Sequence, residues 1–262
     1  GKKGVIFIED IADVPMNSII IYSAHGVSIE VKNDAKNRNL KIFDATCPLV
    51  TKVHIEVHKY SKEGVDVVLI GHKGHPEIEG TMGQYDSPIG KIHLVENVQD
   101  ISALGIDNTK VAYVTQTTLS IDDTKDIIKN LIKKFPDIMS PAKSDICYAT
   151  QNRQDAVKSI LKCCDYLLVI GSVNSSNSRR LVELALKNKI PSKLIDSYHD
   201  IDLIKLKGKK TIGITAGASA PQILLDQVTE YLIDKGAVMN KINKEGIKEN
   251  ITFSIPKELR NL

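Results

Sequence analysis

The residues best suited to chemistry in this chain crowd into positions 71–81, GHKGHPEIEGT. His75 can donate to an anion or pair with it, Pro76 stiffens the turn, and Glu77 falls in a first helical turn, placed to deliver a proton. His25, within SAHGVS at 23–28, occupies the equivalent place after another apolar run. A helix cap or a loop brace accounts for either histidine singly. Two in equivalent loops favour contact with a ligand, whereas His72 is as well suited to bonding backbone alone.

Neutral donors recur at three further run ends: Gln116, Thr117 and Thr118; Ser175, Ser176, Asn177 and Ser178; and Ser219 within TAGASAP. Any one could be a cap, but together they suit phosphate oxygens at helix starts. Cys47 and Cys147 each stand just before a helix, one hundred positions apart. There a thiolate faces the positive end of the helix dipole, a setting for metal ligands or nucleophiles; two small buried residues would also explain the pair. Cys163 and Cys164 close an amphipathic helix and read as core. His54 and His58, four apart, imitate a zinc-protease helix, but that motif needs Glu directly after the first histidine, and here Glu56 comes second. Lying off the apolar stripe, the pair is expected on an exposed face.

The elements that must position these groups alternate. Five β-branched runs, beginning near Ile19, Val67, Val111, Leu167 and Thr211, each give way to Gly, Ser, Thr, Asn or His and then to a helical pattern. Strand, polar loop and helix is the unit of parallel α/β sheets, whose ligands sit beyond the carboxyl ends of the strands. Five such loops predict a single polar, anion-holding pocket built from most of the chain. Helices are expected over 29–40, 49–60, with Val50, Val53, Val57 and Tyr60 inward, and 151–164; a strand is expected over 250–255. The new series that starts at each of Cys47 and Cys147 divides the chain into α/β sub-domains over 1–46, 47–144 and 145–235, with a tail over 236–262 packing back on the body.

Bulk properties exclude several classes. At 262 residues with 42% hydrophobic and 26% charged residues, the chain has the composition of a soluble globular protein. A net charge of +3, from 35 basic and 32 acidic residues, gives no sign of a nucleic-acid or membrane partner. No apolar run approaches a membrane span, and four cysteines without framework spacing suit a reducing compartment. There is neither a Walker A lysine motif nor G-x-G-x-x-G, so nucleotide binding is disfavoured.

Taken in order, SAHGVS, FDATCPLVTKVH, GHKGHPEIEGTMGQY, TQTTLSIDDT, DICYATQNRQ, GSVNSSNSRRL, TAGASAP and IPKELR span nearly the whole chain. In this series the chain resembles the 4-hydroxy-3-methylbut-2-enyl diphosphate reductase family, which catalyses the last step of the methylerythritol phosphate route to isoprenoids. The resemblance implies three similar α/β sub-domains with small, mostly parallel sheets around a central cluster and substrate pocket. It further implies a [4Fe-4S] cluster, prone to appear as [3Fe-4S], that removes the substrate hydroxyl in a two-electron reductive dehydroxylation, with reduced ferredoxin or flavodoxin as electron donor. By the same resemblance Cys47 and Cys147 match cluster ligands, and Glu77 matches the proton donor, assisted by Thr117 or Thr118. His25, His75, Ser175, Ser176, Asn177 and Ser219 match residues that hold the diphosphate, with Thr117 and Thr118 also in contact with substrate. The family's third cluster cysteine belongs to an opening segment expected before Gly1, and neither Cys163 nor Cys164 matches it, so this chain alone is expected to turn over little. The implied location is the cytoplasm, with a plastid also compatible. A phosphorylated-metabolite binding protein or a non-redox phosphate enzyme would explain the same loops without the cysteines; an inactive fragment is the third reading.

Overall fold

The computed structural model describes residues 4–240 and Phe253. The strand expected over 250–255, the motif at 255–260 and most of the expected tail lie outside the described residues.

Every strand pairing is parallel, in three small sheets. The first joins β1 (Ile19–Tyr22) to β2 (Lys41–Asp44) through α1 (Ile29–Asn37). Ser28 caps α1 by accepting from the Val31 N–H at 3.2 Å. The helix ends three residues before the expected position 40, because Asn39 turns the chain with a left-handed φ of 53°.

The second sheet follows α2 (Pro48–Lys62) and has β3 (Asp66–Ile70) at its centre. Connected by α3 (Pro76–Met82), β4 (Ile92–Val95) lies on one side; after α4 (Val98–Ser102), β5 (Val111–Thr115) lies on the other, leading into α5 (Ile121–Lys134). The third sheet repeats this plan. After α6 (Tyr148–Ile160), β6 (Tyr166–Ile170) is central, β7 (Ser192–Ile195) follows α7 (Ser176–Lys187), and β8 (Ile212–Ala216) follows α8 (Leu203–Leu206) and leads into α9 (Gln222–Asp234).

The two central strands, DVVLI and YLLVI, are buried along their whole length, as strands covered on both faces must be. Alternate residues of β6 serve two cores: Leu168 and Ile170 pack with Val228 and Leu232 of α9, while Leu167 and Val169 pack with Val157 of α6 and Leu181 of α7. Each fully buried aliphatic side chain contributes about 1.5–3 kcal/mol. Below β3, Val53 and Val57 of α2 meet Val67 and Leu69.

The chain forms two compact units. Among the described residues, the first runs through Thr117 and takes up Asp122–Asp145, so it holds the first two sheets; the second holds Thr118–Ile121 and residues 146–240, with the third sheet. Among the described residues no helix is long and apolar enough to cross a membrane.

Two expectations fail here. His54 is only 5% exposed, not on an open face. The buried arc of α2 is wider than its valine stripe, because the loop after β1 covers its first turns: a Cβ on Gly26 would stand 2.5 Å from the His54 ring. Cys163 is exposed rather than core, since α6 ends at Ile160 and the turn that follows carries the thiol outward, its Sγ 3.2 Å from the Ile160 carbonyl. Cys164 does pack, beside Val157 and Leu161.

Candidate functional site

In the first unit, the strand ends bring His25, His75, Glu77 and Thr117 together. Five buried β3 residues stop at Gly71, and the loop turns into α3 with His75 as its N-cap, Nδ1 accepting from the Glu77 N–H at 3.1 Å. A ring accepting at Nδ1 carries its proton on Nε2, where it is a donor. The His25 ring stands edge-on to His75, centroids 5.3 Å apart. Desolvation holds the His25 pKa below the ordinary histidine value.

Glu77 is 2% exposed and takes two bonds from one residue: the Thr117 N–H donates to Oε1 at 2.6 Å and the Thr117 hydroxyl to Oε2 at 3.0 Å. Burial raises its pKa to about 7, against the lowering effect of both Thr117 bonds and with a further push from the Asp145 charge. Glu77 therefore changes protonation near neutrality, as a general acid must. The His72 ring lies 3.8 Å from Glu96, its backbone N–H donates to the Gln116 side chain, and its carbonyl accepts from the His75 N–H at 3.2 Å.

Cys47 is the half-buried N-cap of α2, with Pro48 at the first helical position. Its N–H donates to the Ala24 carbonyl at 3.0 Å, which ties the thiol turn to the loop of His25. Sequence reasoning missed the ion pair behind it. Lys52, one turn into α2, reaches Asp145 at 2.8 Å, and the other Asp145 oxygen accepts from the Thr115 N–H at 2.9 Å. No local signal could have found a pair 93 positions apart.

In the second unit, Cys147 is likewise a half-buried N-cap, of α6. Neither thiol forms a side-chain capping bond. Ser175 caps α7, its Oγ accepting from the Ser178 N–H and hydroxyl at 3.3 and 3.0 Å. The Thr118 hydroxyl donates to Ser176 at 3.1 Å. Asn177 is 5% exposed with neither its Oδ1 nor its Nδ2 partnered. Buried amides normally find partners, so this unmet donor and acceptor make Asn177 a candidate for ligand contact. Glycines at the adjoining strand ends leave the room: a Cβ on Gly171 or Gly217 would fall 2.2 or 2.0 Å from the Ser178 Oγ. Ser219, in the loop after β8, is exposed.

Within the first unit, a buried acid that changes protonation near neutrality beside two imidazoles is the kind of group an α/β enzyme uses. Comparison with known proteins gives the family. The sequence model described as LytB protein matches residues 1–233. The 4-hydroxy-3-methylbut-2-enyl diphosphate reductase of Mannheimia succiniciproducens is 55% identical over 99% of this chain and 82% of its own length; that of Methylococcus capsulatus is 53% identical over 100% and 83%. Among solved structures, the E-1-hydroxy-2-methyl-but-2-enyl-4-diphosphate reductase of Plasmodium falciparum superposes with a TM-score of 0.87 at 40% identity, over 98% of this chain and 80% of that one. The chain belongs to the LytB family.

The family is one of iron–sulfur enzymes. Among the described residues no three His, Cys, Asp or Glu side chains converge as a metal site. Each unit nonetheless offers a thiol whose chemistry fits an iron–sulfur group, Cys47 in the first and Cys147 in the second, both at a helix start and free of a competing capping bond. Cys163 and Cys164 do not extend that set, since the 13-residue α6 puts about 20 Å between them and Cys147.

Proposed function

We propose that this chain serves the reaction for which its relatives are named, the reduction of (E)-4-hydroxy-3-methylbut-2-enyl diphosphate to isopentenyl and dimethylallyl diphosphates, with Cys47 and Cys147 as two of the ligands its cluster needs. Two electrons and two protons enter, the carbon–oxygen bond to the hydroxyl breaks, water leaves, and one proton ends on carbon. Cys47 and Cys147 would hold part of a [4Fe-4S] cluster, which when bound would pass on electrons from a donor such as reduced ferredoxin or flavodoxin.

The observation that carries this reading is Glu77, buried and with a pKa of about 7. Near neutral pH it is shared between its protonated and ionised forms, so a proton is available for transfer. Thr117 fixes both oxygens, and its hydroxyl turns from donor to acceptor when Oε2 is protonated. Thr118 assists from the adjoining position. His25 and His75 present ring N–H groups to the diphosphate, and Ser175, Ser176, Asn177 and Ser219 bond its remaining oxygens. Asn177, with a donor and an acceptor both unmet, supports that role most directly. Four unpaired cysteines favour a reducing compartment, the cytoplasm.

Product formation by the iron-loaded protein, under anaerobic conditions with a chemical reductant, tests the proposal. Binding of the diphosphate with no product from a chain that retains its iron and sulfide would replace it with a non-redox binding role.

A further inference from the structure

Helix α3 carries two glycines, Gly80 and Gly83, in and just after a seven-residue helix. Each costs a helix up to about 1 kcal/mol relative to alanine. Neither is required by backbone conformation; Gly83, the C-cap, has an ordinary φ of −71°. What they provide is space. A Cβ at 80 would stand 3.1 Å from the Gly26 carbonyl oxygen, and one at 83 only 2.2 Å from the Ser28 Cβ and 3.0 Å from its Cα. The loop after β1 therefore lies directly on α3.

Hydrogen bonds fasten it there. The Ile29 N–H donates to the Gly83 carbonyl at 3.0 Å, and the buried Gln84 amide donates to the Val27 carbonyl at 2.8 Å and the Gly80 carbonyl at 2.7 Å. On its other side the loop is closed by the His54 ring against Gly26, whose φ of 74° turns the chain directly after His25. The opposite end of α3 is the turn of His75 and Glu77. One short helix thus presents His75 at its start and holds the His25 loop along its later turns.

We propose that Gly80, Gly83 and Gln84 are positioning residues that set the His25 imidazole against the His75 imidazole, and thereby set affinity for the substrate's diphosphate. This rests on the reading of both histidines as diphosphate contacts. An alanine at 83 forces its neighbour back by about 1.2 Å, from 2.2 Å to the 3.4 Å at which ordinary contact begins. Movement of that size takes a donor out of hydrogen-bond range, and losing a bond to a charged group costs about ten- to a hundredfold in affinity.

The experiment titrates inorganic diphosphate into the full chain by calorimetry and measures KM and kcat on the iron-loaded protein. Gly83→Ala is expected to weaken diphosphate binding at least about tenfold and raise KM, with kcat and the cluster's absorption little changed. Adding Ser28→Gly, which removes the opposing Cβ and keeps an acceptable N-cap, restores most of the affinity. Gln84→Met, which strips the two carbonyls of their donor, shifts KM the same way and carries the test if Gly83→Ala does not fold. His25→Ala and His75→Ala are the controls. Loss of affinity in these controls, but in neither Gly83→Ala nor Gln84→Met, overturns the inference and leaves the histidine reading standing. Full affinity in the histidine variants overturns both. A Gly83→Ala defect that Ser28→Gly does not relieve, and that only follows thermal unfolding, reduces the contact to a structural one and also overturns the inference.

Discussion

Replacing Glu77 by Gln should make the protein more stable above neutrality while suppressing turnover. The carboxyl titrates at about 7 in the folded chain against an ordinary 4.5, a shift worth about 3 kcal/mol. Below 4.5 it is protonated whether folded or unfolded and costs nothing. As pH rises from 4.5 through 7 the unfolded chain releases the proton first, and wild-type stability falls by that amount. His54 works in the opposite sense: burial, helped by the Lys32 charge, lowers its pKa from 6.5 to about 4, so its contribution is complete above 6.5 and lost as pH falls through 4. The two slopes largely offset one another in wild type across the same interval, and removing Glu77 uncovers that of His54. Gln keeps both Thr117 bonds, its oxygen accepting from the N–H and its amide donating to the hydroxyl. Urea unfolding of the two proteins, compared at a series of pH values, should show the Gln variant gaining about 3 kcal/mol on wild type between pH 4.5 and pH 8. The infrared band of a protonated carboxyl, present in wild type near neutrality, should be missing from the variant. Turnover should drop by about 10²- to 10⁴-fold with KM little altered, the usual worth of a general acid. Parallel stability curves would refute the burial argument. Undiminished turnover would refute the assignment of the proton donor even if the curves diverge.

Asn177→Leu removes two unpartnered buried polar atoms, so urea unfolding should find the variant as stable as wild type or up to about 1–3 kcal/mol more so, while calorimetry finds weaker diphosphate binding. Unchanged binding would remove Asn177 from the site. Lys52→Met leaves the fully buried Asp145 carboxylate without its cation and should cost about 3–5 kcal/mol in urea unfolding; Asp145→Asn in the same chain should recover part of the loss. Cys47→Ser and Cys147→Ser should each lower the iron and acid-labile sulfide retained after anaerobic reconstitution, whereas Cys163→Ser, at an exposed thiol beyond the far end of α6, should not.

Much of the fold was legible because its signals are local. Buried parallel strands read as short apolar runs, and Val67 to Ile70 before Gly71 and His72, or Leu167 to Ile170 before Gly171 and Ser172, have the length and the abrupt polar end of a strand. The cap at Ser175 was legible for the same reason, standing where a helix start needs an acceptor. What was not legible depends on neighbours distant in sequence. The stripe on α2 predicts Val50, Val53 and Val57, but only the loop over Gly26 buries His54. Lys52 and Asp145 look like solvated charges until α2 and the strand end of β5 meet. Gly80 and Gly83 did leave a trace, since glycines inside a helical pattern generally have a packing reason. The sequence cannot say which loop they admit.

The second and third sheets clarify how one scaffold yields two kinds of polar group. Gly71 and Gly171 each donate to the carbonyl that ends the neighbouring strand, Val95 and Ile195, at 3.0 Å. His75 and Ser175, a hundred positions apart, cap α3 and α7, and two residues further into each helix stand Glu77 and Asn177, both buried. With the backbone position held constant, the difference lies in the side chains and their partners. Glu77 is completed within the protein by Thr117, so its burial is expressed as a raised pKa and a proton ready for transfer. Asn177 cannot ionise and has no internal partner, so its burial is expressed as an unmet donor and acceptor. A carboxylate at 177 would repel a diphosphate, and an amide at 77 would have no proton to give. On the proposed reading the same helix start serves acid catalysis in one repeat and anion binding in the other, and interchanging the two side chains should abolish both.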